Sequence, residues 1–334
     1  MSAVETGHAS QSVMEQVGPN IIHHVSNTYT PILEKFHPII YFPDLFGIEK
    51  GHGMYNILYS MSVTKHVFML WIVALLVGIA VIIPVRKFLS SNKAAPSGWM
   101  NGIEAIVQFI RDSIVKPNVG PKWVMTWTPL VLTFFFFILF ANGIGMIPIF
   151  DLIGAVNRFV LNIPAETSPL WSAELHGDNF INGLLHGGVT ATGNFNVTAG
   201  LATITFFSIM VAGTMAHGFI NHWKNLAPHG LAWPIYIILI PIELMGLFVK
   251  PFALTMRLAA NMTGGHIALL ALLSLMAIFG EMFHSTIAGV GVAFVAIPIS
   301  VAISALEIIV VLVQAYVFTL LTAVFVGMAI NVHH

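Results

Sequence analysis

Residues 233 to 331 form an almost unbroken apolar stretch, and it carries an arginine, Arg257. About 20 residues, rising 1.5 Å each, cross the hydrocarbon core of a bilayer. The stretch is too long for two ordinary spans and awkward for four. Two long, tilted helices fit it, because excess length is taken up by tilting. Arginine keeps its charge at any working pH. Holding that charge at bilayer depth costs roughly 3 kcal/mol on insertion scales. A chain that carries such a residue usually uses it, most often on an ion pathway. The plainer readings are a structural ion pair or a side chain that snorkels to the membrane surface.

The rest of the chain has the same character. Of 334 residues 57% are hydrophobic and only 8% charged, against about 25% charged in a soluble domain. This composition predicts an all-α polytopic membrane protein. The net charge of -1 gives no global field for a nucleic acid partner. Cysteine is absent, which excludes disulfides, thiolate metal sites and cysteine nucleophiles.

Residues 1–65 are polar to mixed and contain Pro19, Pro31, Pro38 and Pro43. They read as an N-terminal extension at or outside the membrane surface, and 66–334 as the membrane domain. Spans are expected at about 67–85, 126–150, 197–220, 235–283 and 287–331, the last two forming an antiparallel hairpin. Residues 98–116 repeat Ile103, Ile106, Val107, Ile110 and Ile114 at helical spacing, with Glu104, Gln108, Arg111 and Asp112 on the other side. That pattern suits an amphipathic helix on the membrane surface; a helix packed on a soluble partner is the other reading. A polar loop fills 151–195. Lysine and arginine cluster in 86–125 and 221–232, whereas the loop and the N-terminal stretch are net acidic. The basic segments and the C-terminus are therefore expected inside, the N-terminus and the loop outside.

The last apolar stretch holds a small polar set: Glu243, Lys250, Arg257, Asn261, His266, Glu307 and Gln314. Glu243, Lys250 and Arg257 are seven apart and share a helix face, drifting about 20° per step. Asn261 is one turn beyond Arg257 on nearly that face. His266 is turned to the opposite side. Glu307 and Gln314 share a face of the second helix. In an antiparallel hairpin, pairing His266 with Glu307 and Arg257 with Gln314 requires one and the same turn, near residue 286. The only plausible break in the stretch is there, at His284-Ser285-Thr286 and Gly289-Val290-Gly291. The layout suggests proton-accepting stations on both sides of a fixed positive charge: His266 with Glu307 toward the outside, Glu243 toward the inside. A structural buried pair at His266–Glu307, a solvated Glu243 and a snorkelling Lys250 are the plainer readings.

At these residues the sequence resembles subunit a of the F-type ATP synthase, the membrane stator subunit of the rotary proton motor. Lys250-Pro-Phe-Ala-Leu-Thr-Met-Arg257-Leu-Ala-Ala-Asn261-Met looks like the family's segment around its essential arginine. Val313-Gln314-Ala-Tyr-Val-Phe looks like its glutamine motif. Ala141-Asn142-Gly-Ile-Gly-Met-Ile-Pro148 and Asn194-Phe-Asn196-Val-Thr resemble the family's second span and the entry to the next. Together they cover about 65–331 in order. The resemblance implies that Arg257 faces the rotor and separates two offset half-channels, with Asn261 and Gln314 as its polar neighbours. It places Glu243 on the inner half-channel and His266 and Glu307 on the outer one, the acid and the histidine exchanged relative to some members. It implies no catalytic site, cofactor or metal in this chain. The implied partners are the rotor ring of subunit c, the peripheral-stalk subunit b, the rest of the complex and the lipid bilayer. A bacterial plasma membrane is favoured over a mitochondrial inner membrane. The long N-terminal extension and the 151–195 loop depart from the simplest members.

Two other classes are weighed beside it. A membrane haem protein would need facing axial histidines; His217, His266 and His284 are the candidates, without a repeated pair spacing. A stand-alone proton-coupled secondary transporter would typically show internal repeats, and none is visible. The motifs His-Glu-x-x-His, Gly-x-Ser-x-Gly and the P-loop are absent.

Overall fold

Five apolar runs become five helices. A computed structural model describes residues 65–91, 95–146, 190–224 and 233–331, with positions 17, 18 and 21. Almost all of the N-terminal extension, and the outer loop up to residue 189, lie outside the described residues. Among those described there is helix and no strand. Five helices are long and apolar enough to span a membrane: Met69–Leu89, Val124–Met146, Phe195–His217, Ile235–Met282 and Ile287–Ile330. The expected fold class, all-α and polytopic, holds.

The first span runs through α1 (Lys65–Val77), a π-helical segment (Gly78–Ile82) and α2 (Ile83–Leu89). The widening has a local cause. Pro84 has no N–H to give the carbonyl four residues back, that of Ala80, and its ring crowds that carbonyl. The Trp99 indole donates to it instead, at 2.9 Å. The amphipathic segment repeats the pattern: α3 (Trp99–Phe109), a π-helical segment (Ile110–Val115), then α4 (Lys116–Val119) carrying Pro117. Its apolar face is buried at Ile103, Ile110, Ile114, Val115 and Val119, while Asp112 stays exposed and Arg111 half-exposed. That face packs into the chain's own core with Trp127 and Val131 of α5 (Val124–Met146) and Ala323 and Val326 of the last helix.

After a 3-10 turn (Ala191–Gly193), α6 (Phe195–His217) is capped by Asn194, whose side chain accepts the Asn196 N–H at 2.8 Å. Gly218, at φ 83°, ends it and turns the chain into α7 (Phe219–Lys224). The two longest helices follow, α8 (Trp233–Met282, 50 residues) and α9 (Thr286–Ile330, 45 residues). Their turn falls at 283–285. His284 takes the left-handed conformation at φ 46°, and Ser285 N–H reaches back to the Gly280 carbonyl at 3.1 Å, a Schellman closure. At about 1.5 Å per residue, α8 is roughly 75 Å long, more than twice the hydrocarbon thickness.

Lipid tails are as apolar as leucine, so helices in a bilayer associate through close packing and interhelical hydrogen bonds. Small residues mark the closest approaches. A side chain at Gly327 would overlap the Asn118 carbonyl, and one at Gly145 would overlap Thr190.

Candidate functional site

The antiparallel packing of α8 on α9 brings His266 to Glu307, with Nδ1 3.7 Å from Oε1. Glu307 is only 6% exposed, and Oε1 has no hydrogen-bond partner among the described residues. Gly265 makes room for this carboxylate: a Cβ there would lie 2.8 Å from Oε1. A buried acceptor left without a donor is costly. The histidine stands just beyond hydrogen-bond reach, and a small approach would bring the two groups into contact.

The other ring nitrogen of His266 faces a second element. Nε2 lies 2.9 Å from the Thr190 hydroxyl, at the entry to the 3-10 turn. The turn is pinned on two sides. Thr263 of α8 donates its hydroxyl to the Gly193 carbonyl at 3.0 Å. Thr192 donates to the side-chain oxygen of Asn142 on α5. Thr190, Thr192 and Asn142 are fully buried, and the Asn142 side-chain nitrogen has no partner among the described residues. Around His266 the fold thus assembles a polar seam from three elements. Sequence reasoning missed Thr190, Thr192 and Thr263 as site residues and took Asn142 only as part of a motif. The signal available was the Thr190-Ala-Thr192-Gly193 run of small polar residues ahead of an apolar span.

One turn from Arg257, Asn261 donates its amide to Gln314 Oε1 at 3.1 Å. Position sums also place Arg257 beside Gln314. Gln314 is buried at 3% exposure, and the side chain that reaches it is Asn261. Arg257 lies at the midpoint of α8 and is exposed, and among the described residues it makes no hydrogen bond or ion pair. Leu254 and Leu258, about 60° and 100° around the helix from Arg257, are buried against Phe134, Ile138 and Phe318. This anchors α8 and turns the guanidinium away from the bundle.

Glu243 is exposed near the start of α8. The Lys250 Nζ lies 5.8 Å from the centroid of the Phe325 ring, a cation–π contact. At the end of α6, His217 Nε2 is 2.9 Å from the Ile330 carbonyl. His222 of α7 is buried over Gly213, where a side chain would overlap its ring. Burial, and then the nearby charge of His217, hold His222 below the ordinary histidine range. His217, His266 and His284 lie at a helix end, inside the hairpin and in its turn, so they are not a facing pair. Among the described residues no three His, Asp or Glu side chains are grouped to hold a metal.

Comparison with known proteins follows the same residues. The family model described as ATP synthase A chain matches residues 67–327. The chain is 37% identical to an ATP synthase subunit a 2 of Chlorobium luteolum, over 98% of its own length and 80% of the relative's. It is 35% identical to an ATP synthase subunit a 2 of Prosthecochloris aestuarii, over 94% and 80% respectively. To the ATP synthase subunit a of Myxococcus xanthus it is 36% identical, over 86% and 78%.

Proposed function

The chain belongs to the ATP synthase A chain family, and from that premise we propose that it carries protons through two offset half-channels and couples their flow to rotor rotation at Arg257. It is an integral bacterial membrane protein and the membrane stator subunit of an F-type ATP synthase. A proton enters from outside past His266 and Glu307. It neutralises a carboxylate on the neighbouring ring of subunit c, because an ionised carboxylate faces lipid only at high cost. The neutral site rotates through lipid and returns near Glu243, where it loses its proton to the inside. Arg257 stabilises the ionised carboxylate and repels a free proton, so the two half-channels do not short-circuit. Asn261 and Gln314 flank it. The subunit has no catalytic site of its own; it is tied to the remaining stator by the peripheral-stalk subunit b.

The observation that supports this reading best is the contrast between Glu307 and Arg257. Glu307 is enclosed with His266 inside the hairpin, whereas Arg257 points outward at mid-helix with no counter-charge among the described residues. A charge in that position needs a partner to supply a carboxylate. The test is ATP-driven proton pumping in membrane vesicles carrying the whole complex with Arg257→Ala. Loss of pumping with the complex assembled is the expected result. Coupled pumping or ATP synthesis in that variant overturns the reading.

A further inference from the structure

We propose that Thr190 is a positioning residue for proton uptake, holding His266 in one ring orientation through both of its protonation states. The inference rests on the half-channel reading of His266 and Glu307. It starts from the two faces of the imidazole: Nδ1 toward the Glu307 carboxylate at 3.7 Å, Nε2 toward the Thr190 hydroxyl at 2.9 Å. A carboxylate only accepts, so the neutral ring carries its proton on Nδ1 and Nε2 accepts from the Thr190 O–H. When the ring gains a second proton, Nε2–H becomes the donor and the same hydroxyl oxygen accepts. A hydroxyl turns to serve either role; no other side chain reaches Nε2 among the described residues.

The turn that carries Thr190 is built to hold it still. Its hydroxyl sits against Gly145, where any side chain would overlap it. Thr263 and Thr192 fasten the turn to α8 and to α5. The groups around the imidazole are few. Glu307 comes from α9 and is the charged group that faces the ring among the described residues. α5 and the turn offer the neutral Asn142, Thr190 and Thr192, and α1, which packs Met69 and Val73 against Ala191, carries the buried His66. Anchored on both sides, the ring keeps Nδ1 aimed at Glu307 through each cycle instead of flipping away after it is loaded.

The experiment measures ATP-driven proton pumping against pH in vesicles carrying the assembled complex, for Thr190→Val, Thr190→Ser and His266→Ala. Thr190→Val is expected to slow pumping about tenfold, as loss of one buried hydrogen bond implies, and to displace the pH profile. Thr190→Ser is expected to keep the parental profile. If Thr190→Val does not assemble, Thr190→Ala against Thr190→Ser decides, since these two differ by the hydroxyl alone. Parental rate and profile in the hydroxyl-free variants, with His266→Ala impaired, overturn the role of Thr190 and leave the half-channel standing. A parental His266→Ala removes the half-channel reading and this inference together.

Discussion

Gly265 and Glu307 meet across the hairpin so closely that a methyl on the glycine would lie 2.8 Å from the carboxylate oxygen and 3.2 Å from its carbon. Such distances force something to move, and the carboxylate is the movable part. Gly265→Ala is expected to push Glu307 off His266 and slow coupled pumping roughly tenfold, since misplacing a reacting group by about 1 Å can cost more than that. Quantifying pumping and the amount of assembled complex side by side checks it; unimpaired pumping would mean the His266–Glu307 spacing is not critical.

Asn261 and Gln314 share one hydrogen bond but differ in exposure, so their loss has unequal cost. Asn261→Leu leaves the Gln314 amide buried without its partner, at about 1–3 kcal/mol. Gln314→Leu leaves Asn261 on the exposed face it shares with Arg257, so no group enclosed within the subunit loses its partner, and costs under about 1 kcal/mol. Thermal denaturation of the detergent-solubilised complex reads both, and equal shifts would contradict the asymmetry.

The docking of α7 on α6 depends on pH through His222. Its folded-state pKa is depressed by burial and then by the charge of His217, so the unfolded segment binds the proton more readily. Docking is complete above the ordinary histidine value of about 6.5 and weakens as pH falls through it toward the lower folded-state value. Amide protection factors across Phe219–Lys224, corrected for the intrinsic pH dependence of exchange, are expected to fall on acidification, and His222→Leu to abolish that dependence.

Gly327 lies against the Asn118 backbone, and the Asn331 side chain donates to the same Asn118 carbonyl at 3.1 Å. A larger residue at 327 would lift α4 from the end of α9. Gly327→Leu is expected to destabilise the chain by about 1–3 kcal/mol, the usual cost of overpacking, seen as a lower yield of assembled complex. Asn331→Ala, which loses only one exposed bond, is expected to change little.

Much of the fold was legible because the bilayer leaves a chain few options. Backbone groups in lipid must be satisfied within the segment, so an apolar run of sufficient length becomes a helix. The hairpin turn near 286 followed from the positions of four polar residues, and the turn is observed at 283–285. The site was legible only in part. His266 meets Glu307 as spacing predicted, and the hydrogen bond to Gln314 comes from Asn261, one turn beyond Arg257. Position sums locate a pair only to within a turn, and helix rotation decides which side chain arrives.

The all-α membrane class, the five apolar spans and the polar set of the last two helices are written in the chain locally, because length, apolarity and period are local properties. The exposure of Arg257 with no counter-charge among the described residues, the contact of Lys250 with Phe325 and the closure of the far side of His266 by Thr190 are set by tertiary packing. These depend on how helices rotate and approach at glycines far apart in the chain. That geometry is set by packing among elements and leaves no periodic trace in any one of them.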